Sequence, residues 1–230
     1  MEPLKIFIGW DSKEPEAYDV CKYSIEKRSS VPVDIQPLKI RELREDRVYW
    51  RPEDIGSTEF TITRFLVPYL TDYKGFALFC DCDFLFLDDV AKLFEQADYS
   101  KAVQVVQHNY VPTETKKFLN NKQYVYPRKN WSSLMLWNCE HHNNKEMNVY
   151  NVNAVEPGFL HQFKWLKDDH IGSLSHEWNW LEGHYKEPQD GSPKAVHYTR
   201  GGPWFKDWKD VEYASLWEKE FKELTEIKNV

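Results

Sequence analysis

Short apolar runs alternate with segments of helical spacing from the first residues onward. Leu4 to Gly9 has strand length, and in Pro15 to Lys27 the residues Ala17, Val20, Cys21, Ser24 and Ile25 recur at three-and-four spacing, which predicts a helix with one buried face. Val33 to Pro37 reads as a second strand, and strand–helix–strand is how open α/β sheets commonly begin. Arg41 to Thr58 is charged, carries Pro52 and Gly56, and reads as a mobile excursion. Phe60 to Leu70 reads as a helix with Arg64 among apolar neighbours, and Phe76 to Cys80 as a strand buried on both faces. Further on, the pattern predicts a short helix at Val90–Phe94 capped by Asp88 and Asp89, and strands over Lys101–Gln107 and Ser132–Asn138. Asn109 to Lys129 is polar and irregular, and His141 to Val155 is an Asn-rich loop with some helix. A short amphipathic helix follows over Gly158–Lys167, a return through Leu174–Leu181, a last strand over Lys194–Tyr198, and a helix over Asp210–Lys228. With no repeat and no linker, the expectation is one α/β domain over residues 1–230, built on a mostly parallel central sheet flanked by helices.

The chemistry gathers just past Cys80. Asp81 and Asp83 are two apart on extended backbone, so both carboxylates point the same way from the strand's end, where open α/β sheets bind ligands. Two adjacent anions repel and are costly to desolvate, which points to a cation held between them. An acidic turn can end any strand, so the rest of the chain has to decide. Arg64 wants an anion, either a structural partner or a ligand's diphosphate. The stretch His197-Tyr198-Thr199-Arg200-Gly201-Gly202-Pro203-Trp204 adds an imidazole, a basic residue and two glycines whose backbone N–H groups can approach phosphate oxygens. Carboxylates plus imidazole suit manganese or magnesium.

Composition narrows the classes. A net charge of -7 with no basic block argues against nucleic acid or an anionic membrane as the main partner. No apolar stretch has membrane-spanning length and no secretory signal is visible, so the expectation is a cytoplasmic protein with no integral membrane segment. Four cysteines without a Cys-x-x-Cys pair fit reduced thiols. Ten tryptophans serve core packing, with some available to stack on sugar rings. The absence of Gly-x-Gly-x-x-Gly and of a Gly-Lys-Ser/Thr loop disfavours a Rossmann dinucleotide site or a P-loop.

Taken together, Asp81-Cys82-Asp83 after an apolar strand, an upstream segment with Arg64 and a His-Tyr loop ending in Pro203-Trp204 resemble glycosyltransferase family 8, whose members have the GT-A fold. Trp131-Ser132-Ser133, Glu177-Trp178-Asn179-Trp180 and His197-Tyr198-Thr199 are similar to phrases in bacterial and phage relatives of that kind. The resemblance implies a retaining, manganese-dependent transfer of a hexose from a nucleotide-sugar donor, UDP-linked in most members, to a carbohydrate or other hydroxyl acceptor. It implies Asp81, Asp83 and His197 as metal ligands. Ile8, Gly9, Trp10 and Asp11 would lie at the nucleoside, Arg64 at the donor sugar or diphosphate, and Cys82, Arg200, Gly201 and Gly202 along the donor. Residues up to about 100 would then form the nucleotide-binding half, about 101–205 the acceptor and metal half, and 206–230 a C-terminal helix.

The chain departs from the family pattern in three places. Gly202 stands where a Lys usually precedes Pro-Trp, leaving Arg200 or Lys206 to supply the charge; Trp131-Ser132-Ser133 replaces Asn-Ser-Gly; and the acidic run near the reacting carbon has only Asp168, Asp169 and Glu177 as candidates. An inverting route would need Asp169 or Glu177 as base, whereas a retaining route proceeds on the donor face without a clear protein nucleophile. Three other classes stay open. A haloacid-dehalogenase-type phosphohydrolase would use Asp81 as nucleophile but expects other residues than Phe84-Leu85-Phe86 after it. A sugar-binding module would use the tryptophans alone, and a nucleotidyltransferase would want a basic Gly-rich loop after Gly9.

Overall fold

The central strand of the molecule is β3 (Phe76–Cys80), and its neighbours explain its composition. The computed structural model describes residues 2–52, 56–109 and 127–228. On one side β3 pairs in parallel with β1 (Leu4–Gly9), which in turn pairs in parallel with β2 (Val33–Leu38). On the other side it pairs antiparallel with β6 (Leu134–Asn138). Flanked on both edges and covered on both faces, Ala77 to Cys80 are fully buried, as a continuous apolar run requires. Past β6 come β5 (Val103–Val105), antiparallel to it, and β7 (Ile171–Ser173), parallel to β5, which completes the six-stranded order β2-β1-β3-β6-β5-β7. The sheet is thus parallel-rich, with β6 the reversed strand. A second, three-stranded sheet places β9 (Ala195–His197) between β4 (Phe84–Phe86), antiparallel, and β8 (Trp180–Leu181), parallel.

Helix α1 (Pro15–Arg28) buries the face read from its spacing, Ala17, Val20, Cys21, Ser24 and Ile25, with Tyr18 beside them. It packs on β4 and on the C-terminal helix α7 (Ala214–Lys228), where Lys27 and Arg28 pair with Glu220 and Glu223. A main core spans the large sheet, and a smaller one gathers Val20, Leu85, Val196, Tyr198 and Trp217 under α7.

Several element boundaries differ from the pattern's forecast. Phe60–Leu70 is not one helix: a turn leads into a 3-10 segment, Thr63–Leu66, and then α3 (Val67–Leu70). Pro68 lacks the N–H that a continuous helix would bond to Arg64, so the helix restarts with the proline in its first turn. Asn130, Phe163 and Tyr213 sit at φ of 64°, 54° and 64°. These left-handed residues explain why β6 begins at Leu134 after a 3-10 turn, why the helix near Gly158 covers only α6 (Pro157–His161), and why α7 starts at Ala214. In Arg41–Thr58, expected as an excursion, α2 (Ile40–Glu45) forms, and Tyr49 and Arg51 are buried. Arg51 donates to the Val152 carbonyl at 2.8 Å on α5 (Val149–Ala154), which anchors that stretch. Residues 53–55 and most of the polar segment read between Asn109 and Lys129 lie outside the described residues. Among those described, α4 (Ala91–Phe94) has Val90, not Asp88 or Asp89, at its N-cap; Asp89 stands one residue earlier and its Oδ1 accepts from the Ala91 N–H at 2.9 Å. Among the same residues, no helix is long and apolar enough to cross a membrane.

Candidate active site

The register of the two sheets brings the acidic motif and the distant histidine together. Asp81 leaves β3 with its N–H donating to the Ser133 carbonyl at 2.9 Å. Asp83 precedes β4 directly, and β4 sets Phe84 opposite His197 on β9, while the Tyr198 N–H donates to the Asp83 carbonyl at 3.0 Å. The Phe84 ring stacks on the imidazole at 4.4 Å and 15°. One ligand atom from each of Asp81, Asp83 and His197 then lies within 4.8 Å of the others, and His197 Nε2 is 3.3 Å from Asp83 Oδ1. The side chains of His197, Asp83 and Asp81 are 2%, 13% and 15% exposed, so the carboxylates are nearly desolvated yet reachable from one side. Two carboxylates and an imidazole in this setting are a donor set that fits a divalent manganese or magnesium ion.

Arg64 stands on the far side of Asp81, its guanidinium 2.7 Å from Oδ1 and donating to the Ser132 carbonyl at 2.8 Å. It is held between the Phe60 and Phe79 rings, which makes it a buried partner of the Asp81 carboxylate. Burial pushes His161 down to about 3, with the charges of Arg64 and Lys129 adding to it, and its Nδ1 pairs with Ser132 Oγ at 2.8 Å.

The residues expected along the donor have mixed placements. Ile8 is fully buried within β1, so only its backbone faces the strand end. An added Cβ at Gly9 would fall 2.4 Å from the Phe60 ring, which is why glycine stands there. Asp11 is buried and accepts from the Lys13 and Glu59 N–H groups at 2.9 and 3.1 Å, shaping the loop after β1. A cavity of about 520 Å³ lined by Lys13, Arg41, Arg44, Tyr49, Thr58 and Ile62 opens beside that loop, and the Trp10 ring carries Lys39 Nζ at 5.9 Å. Cys82 is buried between the two carboxylates, and desolvation raises its thiol well above the ordinary range, away from nucleophilic use. Arg200 is paired with the buried Glu182 at 2.7 Å and lies over the Trp208 ring. Gly201 donates its N–H to the Tyr198 carbonyl and packs on Trp208, and Gly202 packs on Trp204; both glycines thus have a structural reason to be there.

The three acidic candidates for catalysis are not all brought to Asp81, Asp83 and His197. Asp168 and Asp169 precede β7, whose start is level with Trp137, whereas Asp81 is level with Ser133 at the other end of the sheet. Their side chains are 87% and 76% exposed, and Asp168 pairs with Arg128 at 2.6 Å. Glu177 belongs to the 3-10 segment His176–Asn179 that leads to β8, and its carboxylate pairs with Lys194 at 2.9 Å.

Residues that pattern reading passed over line the same centre. Asn179, fully buried, bonds His197 Nδ1 at 2.9 Å and donates to Ser133 Oγ at 2.9 Å. His108 follows β5, is buried, and meets the Tyr185 hydroxyl at 2.8 Å through Nδ1. Glu14 is buried and accepts from Trp204 Nε1 at 3.0 Å, tying the start of α1 to the His197 loop. Asn179 and Ser133 lie in the phrases Glu177-Trp178-Asn179-Trp180 and Trp131-Ser132-Ser133, which were the available signal for them. Nothing in the sequence pattern distinguishes His108 or Glu14.

No family model matches the chain. Its fold is similar to that of the WbbM bifunctional glycosyltransferase (TM-score 0.67, 14% identity, covering 97% of this chain and 51% of that one). The glycosyltransferase GlyE of Streptococcus pneumoniae TIGR4 gives 0.61 at 15% identity over 96% of this chain and 60% of that one. The galactosyltransferase LgtC, solved with donor and acceptor sugar analogues, gives 0.59 at 12% identity over 96% of both. The chain thus spans about half the length of WbbM and 60% of GlyE. At these identities the likeness is one of fold, and the fold is GT-A. In sequence the chain is 51% identical over 227 residues to Protein CDI of Arabidopsis thaliana, covering 96% of this chain and 87% of that one. The chain belongs to the family of that plant protein.

Proposed function

We propose that this protein is a metal-dependent glycosyltransferase of the family 8 type that moves a hexose from a nucleoside-diphosphate sugar, a UDP-hexose, to an acceptor hydroxyl with retention of configuration. One observation carries the reading: Asp81, Asp83 and His197 converge at the carboxyl end of β3 in a fold shared with glycosyltransferases. These three residues would hold Mn2+ or Mg2+, which when bound supplies positive charge to the departing diphosphate. Arg64 fixes Asp81 and adds a second positive charge beside it. The loop Trp10–Asp11 and the neighbouring cavity are the candidate nucleoside site, since they lie past the end of the adjacent strand β1. Gly202 and the exposed Lys206 are the candidates for the diphosphate, because Arg200 is engaged by Glu182. The acceptor hydroxyl attacks from the donor face, which asks for no protein nucleophile; Glu177 is the carboxylate an inverting route would draw on.

The phosphohydrolase alternative loses support from the same geometry, because the Asp81 carboxylate it needs as a nucleophile is ion-paired to a buried arginine. A cytoplasmic site of action is part of the proposal, in keeping with four buried free cysteines. The test is a screen of UDP-, GDP- and CDP-sugars with manganese and after chelation. The expected result is turnover of a UDP-hexose only with metal, releasing or transferring the sugar in its original anomeric form. No turnover of any sugar nucleotide, or turnover indifferent to chelation, would contradict it.

A further inference from the structure

A histidine can ligate a cation only through a ring nitrogen that carries no proton, and which nitrogen that is depends on the partner of the other one. For His197 the choice is made three residues away. Asn130 lies in the left-handed region (φ 64°, ψ 0°) just before the 3-10 turn, and its carbonyl accepts the Ser133 hydroxyl at 2.7 Å and the Ser133 N–H at 3.3 Å. A hydroxyl has one proton to give. With that proton spent on Asn130, Ser133 Oγ faces Asn179 as an acceptor, and the Asn179 Nδ2 group donates to it at 2.9 Å. The other end of the same carboxamide, Asn179 Oδ1, then lies 2.9 Å from His197 Nδ1. An oxygen without a proton cannot donate, so Nδ1 carries a proton, and Nε2 is the ring nitrogen left facing the carboxylates, 3.3 Å from Asp83 Oδ1. Ser133, Asn179 and His197 are 3%, 0% and 1% exposed, so bulk water does not compete for these bonds. Turning the Asn179 amide over would set two donors against each other or require His197 to be protonated on the side facing the carboxylates.

We propose that Ser133 and Asn179 are positioning residues that lock His197 in the Nδ1–H tautomer, presenting the Nε2 lone pair to a divalent cation shared with Asp81 and Asp83. The proposal rests on the metal-site part of the reading above and is independent of which donor, if any, is used. Metal-ligating histidines commonly owe their orientation to such an outer partner, and losing it costs about 10- to 100-fold in metal affinity.

The test uses the full chain, free of metal and of sugar nucleotide, labelled with nitrogen-15. Long-range proton–nitrogen correlation spectra near neutral pH identify the tautomer of each histidine, with His197 assigned by the signal lost in His197→Gln. The wild-type protein is expected to show Nδ1–H for His197. Ser133→Ala releases Asn179 to turn over, and the expected result is a shift towards Nε2–H with Mn2+ affinity, read by spin resonance of the free ion, lowered about 10- to 100-fold. Asn179→Leu should do the same. Asn179→Asp keeps an acceptor for Nδ1–H, so the tautomer should persist and Mn2+ should bind at least as tightly. A wild-type His197 protonated on Nε2 with Nδ1 bare would overturn the proposal. So would a Ser133→Ala variant that keeps both tautomer and affinity. Failure of the transferase reading looks different: the tautomer and metal results would hold in a protein that turns over no sugar nucleotide.

Discussion

Two of the chain's acidic pairs, Asp81/Asp83 and Asp168/Asp169, have nearly identical chemistry and stand at opposite ends of its large sheet. The first leaves a central strand buried on both sides, stands 15% and 13% exposed, and has a histidine and an arginine packed against it from distant parts of the chain. The second sits on a one-turn 3-10 segment at the sheet edge, 87% and 76% exposed, with the partly buried Arg128 as the partner of Asp168. Carboxylates in water cost nothing to keep, whereas carboxylates held out of water beside each other need a counter-charge. Desolvation together with an imidazole therefore makes the first pair the candidate cation site, where acidity alone does not.

The sharpest way to break this contrast is to treat the two pairs alike. Asp83→Asn should abolish Mn2+ binding and lower transfer by about 100- to 1,000-fold, measured by calorimetry and by steady-state turnover. Arg64→Met tests the counter-charge. It leaves Asp81 without its buried partner, and such a loss costs about 3–5 kcal/mol, visible as a lower urea midpoint. Added Mn2+ should restore part of that stability, because the ion supplies the charge the arginine gave.

The first pair was legible in part: an apolar run of strand length followed by Asp-x-Asp says where the strand ends. Cys82 and Asp83 form a turn and not extended backbone, so that turn, and not strand alternation, sets how the two side chains point. His197 stood out by its side-chain chemistry, but its link to Asp83 came through resemblance, since no periodicity relates the two; the pairing of β4 with β9 does. That Asp168 and Asp169 stand at the other end of the sheet from Asp81 is set by the register of β7 against β5, which a single sequence does not display. The broken helix at Phe60–Leu70 had a visible cause in Pro68, whereas the left-handed Asn130, Phe163 and Tyr213 had none. Asn179 and Ser133 went unassigned because a buried amide earns its role from partners far along the chain.

A milder effect concerns His108, on the site end of β5. Burial, with His197 next in weight, lowers it from 6.5 to about 3. The unfolded chain therefore takes up a proton below about 6.5 that the folded one refuses until about 3. Stability from this group is complete above the upper value and is lost as the pH falls, by at most about 1.4 kcal/mol per pH unit. Thermal unfolding of His108→Phe should show a flatter acid slope than the wild-type protein. The smallest effect belongs to the second acidic pair: Asp168→Asn should change stability by less than about 1 kcal/mol, as surface pairs do, and leave turnover within about twofold.

The most direct test of the central claim is a calorimetric titration of UDP-hexose into the protein with Mn2+, after chelation, and into His197→Gln with Mn2+. The account predicts saturable binding in the first case and at least about a 100-fold weaker signal in the other two. Equal affinity in all three would show that the donor does not depend on a cation held by Asp81, Asp83 and His197, and would contradict it.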